Sequence, residues 1–285
     1  MAAADSRVYF PSGFQELFSI WKRFSDSVLY AGGTGHTWYE NVRPSEAPEN
    51  IISLDKLEEL HKISRTERYI EIGAMVTLNN IIHLGKIVPE ALTRCLESIA
   101  GPQLRNLATI GGNICSLSGN TDSPGPMIAL DALYELRTAE SSRWVSASRF
   151  SSSPGSTALG SQELLTRIRV PLEPWTFNWY RKFKRHDNDR SGGNILFILR
   201  NQKSNLTGIR VVYSGKVILR DKNSETMLEG KRLPLDRKNA AAFVDSWKNY
   251  LSGALSIKNS IFFEPELVKT QILNFIEATI LRISE

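Results

Sequence analysis

The sequence predicts an α+β protein built in successive parts, and three observations carry that prediction. Short apolar runs at strand spacing alternate with apolar stripes at helical spacing through the first half. After Pro174 the pattern changes to strand-like runs joined by turns. Two helical stripes then finish the chain.

The elements follow in order. Val8, Tyr9 and Phe10 read as a strand end. Ser12 opens a helix, and Gln15 completes an S-x-x-Q capping box. Phe14, Leu17, Phe18, Trp21 and Phe24 fall at helical spacing, which buries one face. Val28–Tyr30 is the next strand, so the chain begins with a β-α-β unit. Ile51–Leu54 and Tyr69–Ile72 are strands, the second ending at Gly73. Thr77 caps a helix over Leu78–Leu84, and Gly101 closes a helix over Glu90–Ala100. Strands recur at Leu133–Arg137, Arg143–Val145 and Leu164–Val170, with a Ser/Gly-rich loop over 146–161.

Beyond Pro174, Phe177–Phe183, Ile195–Arg200, Gly208–Tyr213 and Lys216–Arg220 read as antiparallel strands, with Ser214-Gly215 as a hairpin turn. Asp236 caps a helix whose apolar positions are Phe243, Val244, Trp247, Tyr250 and Leu251. Pro265 begins the last helix, with Val268, Ile272, Phe275, Ile276 and Ile280 on one face. A boundary near 175 therefore divides the chain into 1–175 and 176–285, and the first region divides again into about 1–55 and 56–175.

Composition narrows the function. The 285 residues are 41% apolar and 23% charged, ordinary for a globular protein, with a mild net charge of +5. No Lys/Arg cluster interleaves with aromatics as a nucleic-acid groove needs; "WYRKFKRH" (179–186) comes nearest and reads as one face of a strand. Two cysteines, Cys95 and Cys115, make neither a disulfide framework nor the four thiolates of an iron–sulfur cluster, which points to a reducing, cytoplasmic setting. His36, His61, His83 and His186 show no metal-ligand spacing. There is no signal-peptide pattern and no membrane-spanning run.

The chemistry lies in two glycine stretches. "AGGTGH" (31–36) follows a strand, and glycine lets consecutive N–H groups form a concavity that suits anions. A lone run of this kind reads first as a plain turn between strands. It is no dinucleotide fingerprint, since Trp38 holds the third glycine position, and no Gly-Lys-Ser/Thr of a Walker loop appears. "TIGGN" (109–113) adds a second glycine pair, read as another strand end, with hydroxyls at Thr109, Ser116 and Ser118. Asp122 lies nine residues past Asn113 and is open to two readings, a turn cap or an acceptor for a sugar hydroxyl. Two such turns could hold one pyrophosphate from two sides.

The sequence here resembles the FAD-binding subunits or domains of the molybdenum hydroxylases: xanthine dehydrogenase, the aerobic carbon monoxide dehydrogenase medium subunit and nicotinate dehydrogenase. Ala31-Gly32-Gly33-Thr34 matches the family's first loop. Thr109-Ile110-Gly111-Gly112-Asn113-Ile114, then Thr121-Asp122, Pro126 and Ala129-Leu130-Asp131-Ala132, match its second. "ELLTRIRVP" (163–171) and "YRKFKRHDND" (180–189) resemble two of its downstream strands, so the likeness runs through nearly the whole chain.

The resemblance implies a two-part, PCMH-like FAD-binding domain followed by a domain of antiparallel sheet and helices. It implies that Ala31, Gly32, Gly33, Thr34 and Gly35 wrap the pyrophosphate of FAD while Thr109, Gly112, Asn113 and Ser116 grip its other side. Asp122 would hydrogen-bond FAD, Leu165 would pack by the flavin, and Lys182 would lie near the ring, where a cation stabilises the anionic reduced form. It implies electron transfer from [2Fe–2S] clusters through FAD to NAD⁺ or another acceptor, with a molybdopterin-binding large subunit and a [2Fe–2S] subunit as partners. A free-standing FAD oxidoreductase and a non-catalytic assembly subunit are the other readings. The sequence departs from the family at Gly35-His36, at 117–120 and at 186–194.

Overall fold

The computed structural model describes residues 6–35, 48–116, 121–151, 157–183, 193–215, 217–257 and 265–284. The chain opens with β1 (Arg7–Tyr9), α1 (Phe14–Arg23), β2 (Val28–Tyr30) and β3 (Asn50–Ser53). These strands form a parallel sheet in the order β1-β3-β2, so the expected β-α-β unit is there but β3 separates its two strands. Phe14, Leu17 and Phe18 of α1 are buried as their spacing requires. The cap differs from expectation. Gly13 is the N-cap, and the Ser12 amide and hydroxyl both donate to Oε2 of Glu16, at 2.8 and 3.0 Å, rather than engaging Gln15. The helix begins one residue later than the box implies, which carries the reach-back position to Glu16.

The middle of the chain supplies β4 (Ile63–Arg65), β5 (Tyr69–Gly73), α2 (Leu78–His83), α3 (Glu90–Glu97), α4 (Pro102–Arg105), α5 (Ile110–Cys115), α6 (Pro124–Ala129), β6 (Leu133–Arg137), β7 (Ser142–Ser146), α7 (Ala147–Phe150) and β8 (Leu164–Pro171). Its strands pair antiparallel in the order β4-β5-β8-β6-β7. Thr77 caps α2, accepting from the Asn80 amide at 3.2 Å. Two expectations are corrected here. Helix α3 stops at Glu97, Ala100 takes the left-handed φ of 45°, and Gly101 is the N-cap of α4 instead of the end of α3. The Ser/Gly-rich loop contains α7, because Ser146 accepts from the Arg149 amide and Phe150 is wholly buried.

The third sheet comes from β9 (Phe177–Lys182), β10 (Asn194–Gln202), β11 (Asn205–Ser214) and β12 (Ile218–Leu219), antiparallel in the order β12-β11-β10-β9. The strand expected over Lys216–Arg220 shortens to β12, and residue 216 lies outside the described residues. Helices α8 (Lys222–Leu228), α9 (Arg237–Ile257) and α10 (Pro265–Ser284) close the chain. Asp236 starts α9 as expected, accepting from the Asn239 amide at 2.8 Å.

Strand alternation gives the third sheet two different faces. Ile195, Phe197, Leu199, Val211 and Tyr213 point into a core with Phe243, Trp247, Ile272 and Ile276 of the last two long helices. Leu196, Ile198 and Val212 belong to the other core, shared with α1, α5, α6 and the five-stranded sheet. The polar members of that second face define the site.

Candidate functional site

The two glycine stretches meet. A Cβ placed on Gly32 would lie 1.7 Å from the Leu107 carbonyl oxygen and 3.3 Å from the Ala108 nitrogen, so the first loop rests on the backbone just ahead of Thr109. No larger residue fits at Gly32 without parting the loops. Gly33 has φ +68°, the left-handed region that a side chain disfavours, while Gly35 has nothing within 4 Å of an added Cβ. No described residue accepts from the Gly32, Gly33 or Gly35 amide. N–H groups around a left-handed residue can form a concavity that suits an anion. Thr34 sits beside them, half-buried.

The second stretch is not a strand end. Thr109 bridges Thr77 and then caps α5, its Oγ1 accepting from the Gly112 amide at 3.1 Å. The Ile110 and Gly111 amides are spent on the Val76 and Ala74 carbonyls, at 3.0 and 2.9 Å, which ties the start of α5 to the residues after β5. A Cβ on Gly111 would meet Ala74 Cβ at 2.7 Å. That glycine serves packing. Gly112 is exposed, and an added Cβ there meets only Thr109 Oγ1, at 2.9 Å. Ser116 is half-buried at the end of α5, and Asn113 Oδ1 accepts from the Ser123 hydroxyl at 2.6 Å, holding α5 against the turn that carries Asp122.

Asp122 and Lys182, far apart in sequence, form an ion pair at 2.6 Å with side chains 9% and 24% exposed. Lys182 Nζ also lies 3.4 Å from the Ser98 carbonyl, and Ser98 Oγ is 2.9 Å from the Tyr180 hydroxyl. Asn194, wholly buried, donates Nδ2 to Asp122 Oδ1 and O at 3.2 and 3.3 Å. Sequence reasoning missed Asn194. The only trace was that residues 192–194 repeat the Gly-Gly-Asn of 111–113. Around this pair the other titratable groups are held neutral. Burial, then the Asp122 carboxylate, pushes the Cys95 thiol up; burial, then Cys95 and Asp122, does the same to the Tyr180 phenol. Burial also pushes the Cys115 thiol up to about 12.

Leu165 is 2% exposed, inside the shared core on β8, the strand against which α5 packs. The structure thus brings the first loop against the residues before Thr109, and brings Asn113 to Asp122's neighbour Ser123 and Asp122 to Lys182. It leaves Leu165 among core side chains. His36, 117–120 and 186–192, where the sequence departs from the family, lie outside the described residues. Among the described residues no cluster of His, Cys, Asp or Glu could hold a metal ion, and no helix is long and apolar enough to cross a membrane.

The described geometry is a left-handed glycine turn seated on the backbone just ahead of a capped helix start, with an Asp122–Lys182 ion pair farther along the same connection. The chain belongs to the family of the FAD binding domain in molybdopterin dehydrogenase, whose model matches residues 4–173. It is an FAD-binding oxidoreductase subunit of the molybdenum hydroxylase family. It is 30% identical over 224 residues to the carbon monoxide dehydrogenase medium chain of Hydrogenophaga pseudoflava, across 76% of this chain and 77% of that one. It is 25% identical over 237 residues to the nicotine 6-hydroxylase medium subunit of Paenarthrobacter nicotinovorans, across 81% and 83%. The solved quinoline 2-oxidoreductase from Pseudomonas putida 86 shares the fold over 100% of this chain and 98% of that chain, with TM-score 0.83 at 21% identity.

Proposed function

We propose that this chain carries electrons through FAD within a molybdenum-containing hydroxylase. Bound FAD would supply the redox chemistry, with electrons from substrate oxidation reaching it through [2Fe–2S] clusters on another subunit and leaving to NAD⁺ or another acceptor. The partners are a molybdopterin-binding large subunit and a [2Fe–2S] subunit, in the cytoplasm. Kinship to medium subunits supports this assembly. We take 1–175, in parts 1–55 and 56–175, as the cofactor-binding region and 176–285 as the C-terminal domain. The change of sheet between Pro171 and Phe177 supports that division.

The chain's own residues bind and orient. Ala31 to Gly35 hold the pyrophosphate from one side; Thr109, Gly112, Asn113 and Ser116 limit it on the other. Asp122 keeps acceptor capacity beyond its bonds to Lys182 and Asn194, because a carboxylate offers about four lone-pair sites. It can therefore take a hydroxyl of the cofactor. Lys182 places positive charge by the ring, tempered by Asp122, and Leu165 backs the flavin through the core.

The observation that best supports the reading is the seating of Gly32 on Leu107, two residues ahead of Thr109. The purified chain should be yellow and should co-purify with cluster- and molybdenum-bearing chains. A colourless chain that cannot be reconstituted with FAD would overturn the proposal.

A further inference from the structure

Helix α6 begins two residues after Asp122, and all six of its residues are buried. Proline at 124 and 126 fixes two of its φ angles, so the helix moves as a rigid peg. One face of the third sheet holds the peg at both ends. At the near end Lys182, Asn194 and Ser214 stand in register across β9, β10 and β11. Lys182 and Asn194 bond Asp122, and a Cβ on Gly125 would come 2.7 Å from Ser214 Cβ and 3.2 Å from Asn194 Oδ1. At the far end Arg210, on the same face of β11, donates to the Ala129 carbonyl at 2.5 Å and pairs with Asp131 at 2.7 Å. Arg220 donates to the Ile128 carbonyl at 3.2 Å, pairs with Asp131 at 3.3 Å and is fixed by Glu225 at 2.9 Å. Two cations thus cover carbonyls at the helix C-terminus, where the helix dipole favours them.

We propose that Asn194 and Arg210 are positioning residues for the cofactor: the sheet clamps α6 from both ends and so sets where Asp122 presents its carboxylate to FAD. Asn194 acts directly, by orienting Oδ1. Arg210 acts through the rigid helix. Its guanidinium, 4.7 Å from the Trp175 ring centroid, also anchors the segment joining the second sheet to the third. The inference rests on the FAD-binding reading above.

The test uses the full chain with FAD, measuring dissociation constant by flavin fluorescence, reduction potential at saturating FAD, and thermal unfolding of the apo chain. Asn194→Leu should weaken FAD about tenfold, the size of one lost charged hydrogen bond, and shift the flavin potential. Arg210→Met should weaken it about threefold, as remote coupling does, and Arg210→Lys should recover most of that loss by still donating to Ala129. Ile195→Val, on the opposite face, should lower the melting temperature without moving affinity or potential. The deciding measurement is the double variant. If Asn194 works through Asp122, Asn194→Leu should add almost nothing in an Asp122→Asn background. An undiminished effect in that background, or variants that melt earlier with unchanged affinity and potential, would overturn the clamp. A wild-type chain that takes up no FAD would instead overturn the functional reading, and this inference with it. The two failures are told apart by which protein fails.

Discussion

The two glycine stretches look alike in sequence and are built differently. In the first, Gly32 carries the packing and Gly33 the left-handed turn, while Gly35 stands open. In the second, Gly111 carries the packing and Gly112 stands open at the surface of a capped helix. Each stretch thus joins a glycine that the fold requires to one that leaves room for a ligand. The first offers amides that no described residue takes. The second has spent its leading amides on the residues after β5 and offers space instead. A Gly-Gly pair therefore does not state which glycine serves the fold and which the ligand.

Substitutions can break that division. The largest effect should come from Gly32→Ala, whose methyl would sit 1.7 Å from a backbone oxygen. The loops must part, costing about 3 kcal/mol as severe overpacking does and removing flavin with it. A melting temperature and visible spectrum like the wild type's would refute the contact. Gly111→Ala comes next, at about 1–3 kcal/mol, since Ala74 must yield on both its Cβ and its carbonyl. Flavin content should fall only in step with the fraction folded.

Gly112→Val should do the reverse. Stability should change by about 1 kcal/mol or less, because helix propensity improves while the Thr109 cap is disturbed. FAD retention should be abolished, because the side chain fills the phosphate approach. Full flavin content in that variant would remove Gly112 from the site.

A smaller effect away from both loops calibrates these measurements. Tyr134 is wholly buried with a hydroxyl that meets no described partner, so Tyr134→Phe should leave stability unchanged or raise it by up to about 1 kcal/mol, with flavin content untouched.

The smallest concerns pH. Arg143 holds the Glu163 carboxyl below its ordinary range. Burial would raise Glu135, but Arg167 and Thr166 outweigh it and hold that carboxyl low as well. Carboxyls depressed in the fold contribute stability at neutral pH that is lost as pH falls through their folded values. Apo-chain melting temperature should therefore drop below about pH 4.5. Glu163→Gln should flatten the drop only slightly, by about 1 kcal/mol or less, because Arg143 is half-exposed and screened by solvent. A flavin content that tracked this titration would tie the five-stranded sheet to the site more closely than the geometry does.

The elements legible before folding are those whose signal is local. Apolar spacing placed α1, α9 and α10; Thr77 and Asp236 announced their caps; the alternation after Pro174 announced the third sheet. The two glycine stretches were legible as a pair, and the motif around them identified the family. What failed in the reading depended on competition between neighbours. Whether Gln15 or Glu16 answers Ser12, whether Gly101 ends one helix or begins another, and whether 109–113 ends a strand or starts a helix turn on a shift of one or two residues that tertiary contacts settle.

Contacts across the fold seat Gly32 on Leu107, pair Lys182 with Asp122, and bury Asn194 wholly against that pair. The physical reason is separation along the chain. Helix and turn preferences act between residues a few positions apart. A hydrogen bond between residues 122 and 194 exists because two sheets and a six-residue helix were first packed around a common core.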